Sequence, residues 1–160
     1  MKTVSLYFSV VMCALFSAGA VNAQTNYLPS FSFYDLEGKV FTQEKVRTDL
    51  STMIMLFDPY CDHCAHQADW IAEAEKEFEN VQLIFVTIEP ETEVVKQFKE
   101  EHFGKTKLKY LYFLQDKDFS FETYFGYTDD AINIYLYKPG QRRPKYFGEE
   151  QEVLSLLKFL

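Results

Sequence analysis

Two cysteines standing three positions apart, Cys61 and Cys64, are the side chains in this sequence best equipped for chemistry. A cross-link stabilises a fold most when it closes a long loop, and a Cys61–Cys64 bridge would close almost none. The pair therefore suits a dithiol that opens and closes better than a structural staple. Between the sulfurs lie Asp62 and His63. A protonated His63 would favour a thiolate on Cys61 and make the disulfide more oxidising, whereas Asp62 would oppose both. The signs conflict, so these residues tune the pair without fixing its reduction potential. Asp58, three residues before Cys61, is placed either to assist proton transfer or to cap a turn.

The neighbouring elements decide which sulfur does what. Residues 52–57 are apolar at successive positions, as expected of a strand buried on both faces of a parallel sheet, and Pro59 ends the run. Residues 61–79 read as a helix. The motif thus sits where a strand hands over to a helix, the edge at which ligands and reactive groups gather in open α/β sheets. Free backbone N–H groups at a helix start favour an anion, here a thiolate on Cys61. Cys64, Ala68, Ile71 and Phe78 recur at i, i+4, i+7 and i+14, which suits a core-facing stripe. Cys61 is then the exposed attacking sulfur and Cys64 the sheltered resolving one.

The remaining pattern supplies a sheet for this edge. Phe31, Phe33 and Val40, Phe41 flank a turn at Gly38 and predict a hairpin. Residues 81–88 predict a second buried strand, 90–103 a second helix closed by Gly104, and 118–125 a short helix ending at Gly126. Residues 108–114 are strand-like, with the alternation spoiled by extra aromatics. A further strand is expected over 132–137, a turn at Pro139-Gly140, an edge strand over 145–147 and a final amphipathic helix over 149–160. The predicted order is β-hairpin, β, α, β, α, short α, β, β, α. Its strand–helix–strand units imply a parallel core with right-handed crossovers.

The first 23 residues carry a different signal. Lys2 precedes an apolar run from Val4 to Phe16, and Val21-Asn22-Ala23 ends in small side chains. This predicts a secretory signal peptide over 1–23, a mature domain over 24–160, and no stable membrane insertion after cleavage. The run falls short of the ~20 residues a bilayer span needs. Cys13 leaves with the leader, and the remaining pair would work in an oxidising compartment, where disulfides persist. The chain of 160 residues carries 16 Lys and Arg against 24 Asp and Glu, a net charge of −8. That balance argues against nucleic acid and anionic lipid as partners, because phosphate binding needs clustered Lys and Arg.

The stretch Phe57-Asp58-Pro59-Tyr60-Cys61-Asp62-His63-Cys64 resembles the active site of thioredoxin-like redoxins, especially exported bacterial TlpA-type thiol–disulfide oxidoreductases. So do the opening 31–39 and the approach to the late strand over 124–136. The resemblance implies a thioredoxin-like α/β fold, a central mixed β-sheet flanked by helices with an N-terminal β-hairpin. It implies thiol–disulfide exchange with protein thiols or disulfides, a periplasmic location and no cofactor beyond the cysteines. A membrane redox partner is a further candidate. It places a substrate groove at Tyr60, Asp130 and Ala131. Two departures stand out. Ala131 occupies the place of the family's cis-proline, and since a non-proline cis bond costs ~2.5–4 kcal/mol, a trans Asp130–Ala131 bond and an altered groove are expected. Met55 occupies the place of the buried acidic residue of thioredoxins proper.

Three other readings compete. Cys61, Cys64, His63 and His66 form a Cys2His2 set, but tetrahedral sites draw on two separated pairs and these four crowd into six residues; His102 is remote in sequence. A peroxidase of the peroxiredoxin type wants a hydroxyl where Asp58 stands. A non-catalytic thioredoxin-like binding module is favoured by Ala131 and opposed by the intact pair. Glu73, Glu75, Glu77 and Glu79 read as a solvated helix face, Trp70 as packing, and the aromatics Tyr110, Tyr112, Phe113, Phe119, Phe121, Tyr124, Phe125 and Tyr127 as core and cover or as the lining of a partner groove.

Overall fold

A computed structural model describes residues 27–130 and 132–160. The leader expected over 1–23 and the expected trans bond at Asp130–Ala131 lie outside the described residues. Seven strands form one sheet: β1 Ser32–Asp35, β2 Val40–Thr42, β3 Ser51–Leu56, β4 Val81–Thr87, β5 Leu111–Gln115, β6 Asn133–Tyr137 and β7 Lys145–Phe147. Their spatial order is β2-β1-β5-β4-β3-β6-β7. Parallel pairing joins β3 to β4 and β4 to β5, and antiparallel pairing joins β1 to β2 and β5, β3 to β6, and β6 to β7. The sheet is therefore mixed, with the expected hairpin at one end and β7 as the other edge. The strand-like 108–114 segment becomes β5, which bridges the hairpin to the parallel core.

All seven residues of β4 are buried, because both faces of the sheet are covered. On one face Met53, Met55, Leu83, Phe85, Phe113 and Ile134 pack under α1 Asp62–Glu73 and α2 Thr92–Phe103. On the other, Ile54, Ile84, Val86, Leu114 and Tyr135 meet the N-terminal segment at Tyr27 and Phe31 and the short α3 Phe121–Phe125. Alternate residues of each strand feed opposite cores, which accounts for the continuous apolar runs in the sequence. The hairpin turn has Gly38 at φ 78°, a conformation glycine adopts without a Cβ penalty. Met55 is fully buried and pairs with Phe85 and Ile134, so the position of the missing acid is apolar packing.

Two predicted helices are shorter than their pattern. The 61–79 helix ends at Glu73 and continues to Asn80 as tight turns, with Glu77 N–H donating to Ala74 O and Phe78 N–H to Glu75 O. Four glutamates at every second position disfavour a further regular helix by mutual repulsion. Phe78 still reaches the core, so the apolar stripe predicted burial correctly and helical length incorrectly. The 149–160 helix is reduced to α4 Val153–Leu157, because the backbone N–H and C=O of Gln151 are both taken by the Gln67 side chain of α1. A 3₁₀ turn over Gln43–Lys45 was not expected from the pattern. Trp70 on α1 is 37% exposed, so it packs with the larger part of its surface and leaves the rest to solvent. The aromatic group divides: Phe113 and Phe121 are buried, while Phe119 and Tyr127 are exposed.

Under the sheet, Phe85 stacks on Phe113 at 5.0 Å between centroids and meets Phe103 at 5.3 Å and Phe57 at 5.8 Å. Phe57 leads directly into the Cys61 turn, so this cluster anchors the site from below. Phe85→Ala should lower unfolding free energy by about 3–5 kcal/mol in urea titration, the range for a buried phenylalanine lost from a close-packed core. A loss under about 1 kcal/mol would show that the cluster collapses to fill the space.

Candidate functional site

The backbone geometry separates the two cysteines. β3 is extended one step beyond its last residue by Phe57 N–H donating to Val86 O at 2.9 Å. The chain then turns: Asp58 Oδ1 accepts from Tyr60 N–H at 2.9 Å, and Asp58 O accepts from Cys61 N–H at 3.1 Å. Asp58 therefore caps the turn, one of its two expected uses. Cys61 is the N-cap residue of α1, extended at φ −91° and ψ 118°, and its carbonyl accepts from Ala65 N–H at 3.1 Å. Its side chain is half-buried. One turn on, Cys64 is 2% exposed and packs into the core. Both thiols are free.

Burial pushes the Cys64 thiol up to about 12; a hydrogen bond from the Asp58 backbone acts the other way, and contact with Cys61 adds to the rise. Of the tuning residues, Asp62 is exposed in the first turn of α1. His63 is paired with Glu150, its Nδ1 3.0 Å from Glu150 Oε1. His66 reaches the same oxygen at 3.4 Å. The imidazole of His63 thus lies beside a carboxylate from 87 residues further along the chain. Glu150 is held by the residue next to it: buried Gln67 accepts from Gln151 N–H at 2.7 Å and donates to Gln151 O at 3.2 Å. Neither Gln67 nor Glu150 carries a motif signal, and no pattern in the sequence would have paired Gln67 with Gln151 or Glu150 with His63.

The pair opens into a cavity of about 520 Å³. Tyr60 and Asp130, two of the three groove residues expected from the sequence, line it; the third, Ala131, lies outside the described residues. Tyr127, one of the aromatics read as a possible groove lining, is also there, and the other walls come from residues not singled out: Ile88, Glu89 and Pro90 after β4, and Ile132 with Asn133 at the start of β6. Buried Gln115 fixes the first of these loops by donating to Glu89 O at 2.8 Å and Pro90 O at 3.1 Å. On the opposite wall Asp130 Oδ2 accepts from Thr128 Oγ1 and from Tyr146 OH, the latter at 2.7 Å, and these bonds hold its carboxyl below the usual carboxylate range. A Cβ at Gly148 would stand 2.5 Å from Asp130 Oδ2, so only glycine lets the carboxylate lie there.

The Cys2His2 set is not assembled: both imidazoles turn to Glu150 and the sulfurs to the cavity. Among the described residues no group of three or more His, Cys, Asp or Glu is disposed to hold a metal ion. His102 instead ties α2 to α1, its Nδ1 2.7 Å from Asp69 Oδ1.

No protein-family model and no curated protein matches the chain. Solved structures do match. MTB dsbF, in its mixed oxidized and reduced forms, superposes at TM-score 0.66 and 18% identity over 83% of this chain and 93% of that one. A secreted Mycobacterium tuberculosis disulfide oxidoreductase homologous to E. coli DsbE gives 0.61 and 13% over 74% and 83%. Copper-bound ScoI of Arabidopsis thaliana gives 0.63 and 18% over 82% and 94%. The chain has the thioredoxin-like fold.

The Cys64 thiol sets a pH dependence. An unfolded chain ionises this thiol near ~8.5, whereas the folded protein keeps the proton to about 12. Its contribution to stability is complete below the unfolded value and is lost as pH rises through that window. Urea titrations of the reduced protein should fall with pH above about 9, by up to about 1.4 kcal/mol per unit from this one proton. Cys64→Ala should fall less steeply. Tyr135 and Tyr137, also pushed by burial to about 12, act on both proteins and cancel in the difference. Parallel curves would show that Cys64 titrates normally.

Proposed function

We propose that this chain is an exported thiol–disulfide oxidoreductase that exchanges disulfides through Cys61 and Cys64. One observation carries the reading: the two sulfurs occupy unlike environments one helical turn apart, Cys61 half-exposed in the cavity and Cys64 buried behind it. That asymmetry assigns the two steps of thiol–disulfide exchange to different sulfurs. The Cys61 thiolate attacks one sulfur of a partner disulfide, forming a mixed disulfide and expelling the other sulfur as a thiolate. Cys64 then attacks Cys61, which closes the protein disulfide and releases the second partner thiolate. Two electrons pass to the partner, and the two protons of the protein dithiol go to the two partner thiols. A donor dithiol reverses the sequence and regenerates the pair.

The free N–H groups at the start of α1 support Cys61 as the attacking anion. Solved neighbours that include a secreted disulfide oxidoreductase support both the chemistry and the export. The leader pattern over 1–23 supports a periplasmic location, and among the described residues no helix is long and apolar enough to cross a membrane. Ala131, where the family carries proline, favours a dedicated protein partner over general disulfide reduction.

Cys61→Ser should reduce turnover of a protein disulfide such as that of insulin, or of a small disulfide, to the uncatalysed background. Cys64→Ser should retain the first attack and accumulate a mixed disulfide with the partner, visible as a mass adduct under non-reducing conditions. Equal loss in both variants with no adduct would reverse the reading in favour of a binding module.

A further inference from the structure

Three of the exposed large apolar side chains of this protein ring the same cavity. Tyr60, Ile88 and Tyr127 are 71%, 55% and 51% exposed, and all three line the opening in front of Cys61. Exposed apolar groups gathered around a concavity mark a surface that another molecule covers. Between them stand three carboxylates, each from a different loop: Asp58 before α1, Glu89 after β4 and Asp130 before β6. Among the described residues lining this cavity there is no Lys, Arg or His.

Each carboxylate is held in place without being neutralised. Asp58 Oδ1 accepts from Tyr60 N–H at 2.9 Å, and Glu89 Oε1 accepts from Glu91 N–H at 2.8 Å. Asp130 Oδ2 accepts from Thr128 and Tyr146. Among the described residues no ion pair joins any of the three to a cation; the imidazoles nearest in sequence, His63 and His66, are paired with Glu150 instead. The three negative charges therefore face the opening unopposed, on a chain whose net charge is already −8. Walls of low polarity focus such a field into a cleft, and charge of one sign steers partners of the other.

We propose that this groove selects polypeptide disulfides whose cysteine is flanked by an apolar residue and by Lys or Arg. The proposal rests on the exchange chemistry read above and names the substrate class for it. The apolar residue covers Tyr60, Ile88 or Tyr127. The cation sits among Asp58, Glu89 and Asp130, and the partner sulfur reaches Cys61. An acidic or neutral segment would leave the carboxylates desolvated without a counter-charge, which costs binding.

The test uses the reduced full chain and a set of short peptides with one cysteine capped by 2-mercaptoethanol, differing only in whether the flanking residues are Arg, Gln or Glu. Attack by the protein dithiol converts each peptide disulfide to peptide thiol and 2-mercaptoethanol, while Cys61 and Cys64 become the disulfide. At low ionic strength the Arg peptide should react about fivefold faster than the Glu peptide or more, as expected for a few partly exposed opposite charges. In 0.5 M NaCl, where the Debye length is about 4 Å, the ratio should fall toward one. Glu89→Lys should also lower it, with a thermal melt confirming that the variant is folded. A parallel arm measures binding of the same peptides with serine in place of cysteine, which cannot react. Tighter binding of the Arg peptide that weakens in salt supports the proposal. Equal binding of Arg and Glu peptides overturns it, whatever the exchange rates. Absence of exchange with every capped peptide and with the neutral 2,2′-dithiodipyridine counts against the oxidoreductase reading alone, because the serine peptides still decide charge selection.

Discussion

The pairing of β3 with β4 governs the rest of this molecule. The two parallel strands run in register from Ser51 with Val81 to Leu56 with Val86, and one more backbone bond, Phe57 N–H to Val86 O, carries the ladder past the end of β3. Parallel strands finish at the same edge, so the turn at 58–61 and the loop at 87–90 are brought side by side. Without that ladder the reactive turn and the cavity wall would have no fixed relation. β6, antiparallel to β3 with Asn133 opposite Leu56, brings Tyr127, Asp130 and Ile132 to the same edge. Three separate loops therefore converge on Cys61 because β3 and β4 finish at that edge and β6 begins there.

Three buried glutamines hold irregular segments of the chain against the sheet and helices, and one of them, Gln115, holds a wall of the cavity. Gln67 clasps the backbone of Gln151, Gln115 donates to Glu89 O and Pro90 O, and Gln82 clasps Arg47 through N–H to Oε1 at 2.7 Å and Nε2 to O at 2.9 Å. Each amide is essentially inaccessible to water. A buried side-chain amide left without partners is costly, so each loop is held wherever its glutamine can be satisfied. The geometry of the site consequently depends on core residues remote from the sulfurs, and Glu150 meets His63 only because Gln67 fixes the segment that carries it.

The unlike environments of Cys61 and Cys64 follow from helix geometry acting on this frame. The N-cap residue stands at the end of the helix, while the residue three later faces inward with Ala68 and Ile71. The same desolvation that keeps the Cys64 proton in place shelters it from unselected partners. The sulfur that can be reached is the one that faces the three carboxylates.

Much of this was legible in the sequence because it is local or periodic. The strand that precedes the cysteines, the core stripe of Cys64, Ala68, Ile71 and Phe78, and the hairpin at Gly38 depend on neighbours along the chain and on the period of helix or strand. The helix ends were misjudged where long-range forces intervened: a Gln67 clasp keeps residues 149–151 out of α4, and a run of glutamates breaks α1 while Phe78 still finds the core. The place of β5 between the hairpin and β4, the pairing of His63 and His66 with Glu150, and the convergence of Asp58, Glu89 and Asp130 were decided by tertiary structure alone. Those contacts join residues as far as 87 positions apart, and no local propensity or period encodes which distant side chain will satisfy a buried amide or share the edge of a sheet.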